Sequence, residues 1–205
     1  MAVRKSADSR KTEIVTAMLR LADELGPDRL TTLTVARSVG LTQPGIFRHF
    51  STKQDLWLAV ADHIADVLAD AWGAVLTAHI APEDRLTALI GVQLHQISVN
   101  PAIPAILHSR ELHAENAPLR ARFIDLMTRF QALLIETLSS GQKSGVFRSD
   151  LAPQDAAALL ISLVQGVAIR WSLGQRAFSL EVEGARLVSC QIALFMHINP
   201  LQKAT

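Results

Sequence analysis

The chain has 205 residues, a formal net charge of +1, close to half of its residues apolar and 5% aromatic. That apolar share supplies a core and excludes a disordered or fibrous chain, and the length holds one domain or a small domain joined to a larger one. Abundant alanine and leucine with no tyrosine favour helices over strands. One cysteine, Cys190, excludes an intramolecular disulfide and fits a reducing cytosol. The N-terminus has no long apolar core, so no signal peptide is expected. Residues 1 to 53 hold nine Lys/Arg and five Asp/Glu, a net of +4, and the remainder is −3. A basic head on an acidic body is the pattern of a nucleic-acid-binding domain carried by a domain that avoids DNA.

Residues 1 to 8 form a basic arm in which Arg4 and Lys5, with Arg10 and Lys11 beyond it, are placed to reach phosphates. A first helix is predicted from about Ser9 to Leu25. Ile14, Ala17, Met18, Leu21, Ala22 and Leu25 make one apolar stripe along it. Gly26-Pro27 stops that helix, and the stripe covers the back of the stretch that follows. Over residues 31 to 50 the pattern is two very short helices with a tight turn. Thr31 or Thr32 caps the first, whose apolar face is Val35, Ala36 and Val39. Gly40 takes the left-handed position that ends it, Thr42 caps the second, and Pro44 lies in the second helix's first turn. Helix, glycine-bearing turn and helix make a helix-turn-helix, whose second helix (Gln43 to Phe50) enters a DNA major groove.

Ser51 or Thr52 then caps a long helix to about Ala78, with Leu56, Val60, Ile64, Val67, Leu68, Ala71 and Val75 on one face. At 1.5 Å per residue it is roughly 35–40 Å long, enough to join a DNA-binding head to a separate body. Lys53 in its first turn opposes the helix dipole, an objection that a nearby phosphate removes. Every later element reads as helical: about 82 to 98, 102 to 112, 118 to 139 with a stop at Gly141, 153 to 173, and 180 to 197. The fold class is therefore all-α with about nine helices: a three-helix head over 1 to 52, joined by the long helix to a body over 53 to 205.

The last two helices stand apart. Ala156 to Ile169 is apolar nearly all round, a sign of burial on more than one side, yet short for a bilayer span, so no membrane partner is expected. Its neighbour carries Val188, Ile192 and Phe195 on one face. Pairing of these helices with their copies across a two-fold axis makes a four-helix interface, and a helix-turn-helix reader needs two half-sites. Leu160, Val164, Val167, Val188, Ile192 and Phe195 are the expected interface residues.

Thr31-Thr32, Val35-Ala36, Val39-Gly40-Leu41-Thr42, Gly45-Ile46-Phe47-Arg48-His49-Phe50, Lys53 and Leu56 closely resemble the N-terminal signature of the TetR/AcrR family of bacterial transcriptional regulators. The likeness covers about residues 9 to 60; beyond it only the helical pattern and a Gly145-Val146-Phe147-Arg148 loop before the penultimate helix are similar. Phe47 departs from the pattern, because the family usually carries a tyrosine whose hydroxyl reaches a phosphate. The resemblance implies a cytoplasmic, nucleoid-associated homodimer that reads a palindromic double-stranded operator. It also implies a body that encloses a pocket for a small-molecule inducer, which releases the protein from DNA through linkage between the two sites.

On that helix Gln43 and Arg48 are the side chains able to read base edges, glutamine pairing with adenine and arginine with guanine. Thr32, Thr42, His49 and Lys53 are assigned to phosphates and Arg37 to the backbone. Pro44 and Phe47 complete the DNA-facing set, and Gly45 lets DNA approach closely. Ile46 and Phe50 pack inward. Candidate pocket residues on the body helices are Trp72, His95, His108, Glu111, Phe123, Met127, Phe130 and Trp171. His108 and Glu111 share a helix face, but His113 falls off it and no cysteine joins them, so neither a metal site nor a cofactor is expected. No catalytic arrangement is present in a supporting context, which leaves a ligand-released repressor ahead of an architectural or partner-binding DNA protein, and both ahead of an enzyme.

Overall fold

A computed structural model of the chain describes residues 7 to 78 and 80 to 196. Among them the chain forms ten α-helices: α1 (Ala7–Leu25), α2 (Thr32–Ser38), α3 (Gln43–Phe47), α4 (Lys53–Thr77), α5 (Pro82–Val99), α6 (Ala102–His108), α7 (Arg110–Glu115), α8 (Ala117–Lys143), α9 (Pro153–Leu173) and α10 (Leu180–Phe195). A 3₁₀ turn, Pro27–Arg29, follows α1 after Gly26 at φ 83°. The basic arm's Arg4 and Lys5 lie outside the described residues, as does the expected end of the last helix at His197.

Two boundaries depart from the sequence expectation. The helix expected over 102 to 112 is two helices, α6 and α7, because Ser109 adopts extended backbone between them. Its hydroxyl caps α7 by accepting from Leu112 N–H at 3.0 Å and donates to the Asp28 carboxylate after α1. The extra break makes ten helices instead of nine. Nor does α8 stop at Gly141; it continues to Lys143, and the chain turns at Gly145 (φ 76°). Gly141 is there for space: a Cβ on it would collide with the Phe147 ring.

The chain forms two compact units, Met1–Val67 with Asn100–Leu126, and Leu68–Val99 with Met127–Thr205. In the first, α1 packs on α2, α6 and the 3₁₀ turn, and α2 packs on α3. Ile14, Met18, Leu30, Val35, Ala36, Ile46 and Leu56 are its buried layer. The apolar stripe of α1 thus supplies the core that five- and seven-residue helices cannot build alone. In the second unit α10 packs against α5 and α9, and Gly184 of α10 seats so closely that a Cβ would lie 2.5 Å from Leu94 Cδ1. At 21 residues, α9 is longer than the 14-residue apolar run and passes a length-and-hydropathy test for a span. Its buried residues pack within this unit like those of a core helix.

Candidate nucleic-acid interface

Two threonine caps set the geometry of α2 and α3. Thr31, not Thr32, caps α2, its hydroxyl accepting from Thr34 N–H at 3.1 Å. Between the helices Gly40 sits at φ 67°, the left-handed region that glycine enters without strain. Thr42 caps α3 by accepting from Gly45 N–H at 3.2 Å, with Pro44 in the first turn. Ile46 and Phe50 turn inward and are buried, as expected. Helix α3 ends at Phe47, and His49 and Phe50 continue it as a turn through N–H bonds to the Ile46 carbonyl at 2.8 and 3.0 Å.

That anchoring leaves Thr42, Gln43, Pro44, Phe47 and Arg48 exposed along α3, with Arg37 exposed on α2 and His49 and Lys53 half-buried. The Phe47 ring is 42% exposed, a wide opening for a large apolar side chain. From Arg29 to Lys53 the sequence contains four cationic side chains and no carboxylate, so nothing in the segment cancels its attraction for phosphate. Leu33, not among the expected DNA-facing residues, is also exposed on α2. It lies off the Val35–Ala36–Val39 stripe, and that was the signal available for it.

Two assignments in the head are corrected by burial. Thr32 is 8% exposed, so burial keeps it from a phosphate, and its Oγ1 accepts from Gln43 Nε2 at 2.8 Å inside the motif. Gly45 is buried too; a Cβ there would sit 3.3 Å from Thr42 Oγ1 and 3.5 Å from Leu41 Cβ. This glycine lets the turn close on itself and does not serve the approach of DNA.

The body residues fall out differently. Leu160, Val164, Val167, Val188, Ile192 and Phe195 are all buried within a single protomer, so they form its core and are not free to meet a second chain. What α9 and α10 leave exposed is another set, Leu159 and Leu173 on α9 and Val182 and Leu194 on α10. Cys190 is exposed as well.

Of the eight pocket candidates, His108, Glu111 and Phe123 belong to the first unit and the other five to the second. Trp72 and Phe130 are buried and stack at 5.0 Å between centroids with 19° between planes. Met127 Sδ accepts from Gln165 Nε2 at 3.6 Å. Phe123 is buried and meets the His113 ring edge-on at 5.6 Å, while Trp171, also buried, lies under the Arg176 guanidinium at 5.4 Å. His108 and Glu111 are exposed, and His95 is held by Glu181 at 3.2 Å. The same carboxylate accepts from Ser98 at 2.7 Å; these two bonds, that from Ser98 first, hold Glu181 below the ordinary carboxylate range. Among the described residues no cluster of metal-ligating side chains forms. In the second unit an open groove of about 330 Å³ is lined by Ala69, Trp72, Gly73, Leu76, Arg129, Ala132 and Leu133.

A capped helix-turn-helix with a cationic outer face, followed among the described residues by further helices, defines a DNA-binding transcriptional regulator. Residues 14–60 match the family described as "Bacterial regulatory proteins, tetR family", and residues 82–193 match "BetI-type transcriptional repressor, C-terminal". The chain belongs to the TetR family. Among relatives, the nucleoid occlusion factor SlmA of Haemophilus influenzae is 22% identical over 169 residues, 82% of this chain and 78% of that protein. A transcriptional regulator from Saccharomonospora viridis, solved in complex with choline, superposes with a TM-score of 0.83 at 22% identity, covering 93% of this chain and all of that one. The ketosteroid regulator KstR2 of Mycobacterium tuberculosis gives a TM-score of 0.77 at 18% identity, covering 96% and 100%. These structural likenesses concern the fold.

Proposed function

We propose that the chain acts in the cytoplasm as a homodimeric repressor, its α3 reading a palindromic operator from which a small molecule releases it. The observation that carries this is the exposed row Gln43, Phe47 and Arg48 on a helix anchored from behind by Ile46 and Phe50. In this reading 1 to 52 is the DNA-binding segment and 53 to 205 the sensing and dimerising one. Arg48 reads guanine and Gln43 adenine, while Thr42, His49, Lys53 and Arg37 hold phosphates. Phe47 offers its ring to an apolar edge such as a thymine methyl. The second copy docks through the exposed faces of α9 and α10, where Leu159, Leu173, Val182 and Leu194 lie. Repression accords with the repressor type whose C-terminal description the body matches.

For the inducer, the groove beside Trp72 supports an apolar molecule bearing an anionic group, since its walls are apolar and its one charged lining residue is Arg129. Choline, bound by the Saccharomonospora relative, would find no carboxylate among those lining residues. A second reading, a DNA protein whose body takes a protein partner, draws on one observation: Trp72 and Phe130, two of the candidate pocket residues, are buried and stack on each other as core residues do. Titrating choline and a long-chain fatty acid, an apolar chain with an anionic group, into the protein–operator complex tests the first reading, because release by either supports a small-molecule inducer. Arg48→Ala tests the DNA assignment. The variant stays folded and dimeric and loses operator protection, and an unchanged footprint removes Arg48 from the reading surface.

A further inference from the structure

Thr31 already caps α2, so the neighbouring hydroxyl of Thr32 has another use. It is buried and accepts a 2.8 Å hydrogen bond from Gln43 Nε2, across the turn and eleven residues on. A glutamine amide carries two N–H donors and one carbonyl acceptor. One donor is spent on Thr32; the second donor and Oε1 remain on an exposed side chain. Those two groups are the pair needed for bidentate contact with the N7 and N6 edge of adenine. A glutamine otherwise samples several rotamers, and a fixed amide meets the base without that loss of freedom.

We infer that Thr32 is a specificity-determining positioning residue, which holds the Gln43 amide in its base-reading orientation and does not itself touch DNA. The inference rests on α3 being the DNA-reading helix. Its consequence is selective: losing the acceptor blurs base preference at one position per half-site and leaves phosphate-driven affinity intact.

The test uses full-length wild type, Thr32→Val, Thr32→Ser and Gln43→Ala on duplexes varied one base pair at a time, with unfolding midpoints measured alongside. The relevant position is the one where Gln43→Ala flattens the preference. There wild type favours its base by about tenfold or more. Thr32→Val cuts that preference to within about twofold, Thr32→Ser keeps it, and both bind unrelated duplex as wild type does. Combining Thr32→Val with Gln43→Ala adds nothing to Gln43→Ala alone, as expected for one coupled unit. Should valine disturb α2, Thr32→Ala removes the same acceptor with less bulk and is read in the same way. Retained preference in both acceptor-deleting variants overturns the inference, and so does a uniform loss on every sequence, which would make Thr32 a phosphate ligand after all. If wild type selects no duplex, or Gln43→Ala changes no position, the reading of α3 has failed and this inference fails with it.

Discussion

Helices α3 and α9 make an instructive pair. Around α3 the inward residues Ile46 and Phe50 are apolar while Gln43 and Arg48 face outward, so polarity marks the two faces there, with Phe47 as the apolar exception. Helix α9 is apolar on both sides. Leu160 is fully buried and its neighbour Leu159 is 47% exposed, yet the two are the same amino acid. Periodicity therefore locates the stripes of such a helix without telling which one faces its own protomer. The six residues expected at a dimer interface are the protomer's core, and the interface candidates are the residues beside them.

The largest effect that sharpens this contrast comes from Leu160→Ala, which lowers protomer stability by about 2–5 kcal/mol in chemical denaturation. Leu159→Ala changes stability by less than about 0.5 kcal/mol and instead weakens self-association in sedimentation. The reverse pattern, with Leu160→Ala dissociating a stable protomer, would restore the original assignment and break the comparison. Gly184→Ala is next. Its new methyl meets Leu94 in a packed contact between α10 and α5, so it costs about 1–3 kcal/mol, read as a lowered unfolding midpoint.

The smallest effect is electrostatic. Glu181 is held below its ordinary range by Ser98 and then His95, so its folded value lies under its unfolded one. The stability it lends is present above the ordinary carboxylate range and is lost as pH falls through the depressed value. Both side chains of the Glu181–His95 pair are about half exposed, 51% and 52%, so solvent screens the contribution. Glu181→Gln should flatten that shallow acid-side slope in denaturation midpoints; an unchanged slope would place the titrating group elsewhere.

Much of the head was legible because its signals are local. Gly26-Pro27, Thr42 with Pro44, and the left-handed Gly40 each act within a few residues of the boundary they set. Ser109 shows what local signals miss. Besides capping α7 it donates to Asp28, 81 residues away in the chain, a partner that no local pattern displays. Gly141 carries the same lesson, since Phe147 makes it a packing glycine inside a helix that it was expected to end. At the site, the sequence offered two adjacent threonines with identical chemistry. Only the fold separates Thr31, the cap, from Thr32, the buried partner of Gln43. The pocket was the least legible feature, because large apolar residues at helical spacing serve a core and a cavity equally well. Trp72 and Phe130 chose each other.

Selection of wild type and Arg48→Ala on a library of random duplexes tests the central claim most directly. Wild type should enrich an inverted repeat with half-sites about one helical turn apart, and Arg48→Ala should enrich none. A wild-type selection that returns no motif, or the same motif from Arg48→Ala, would contradict the account.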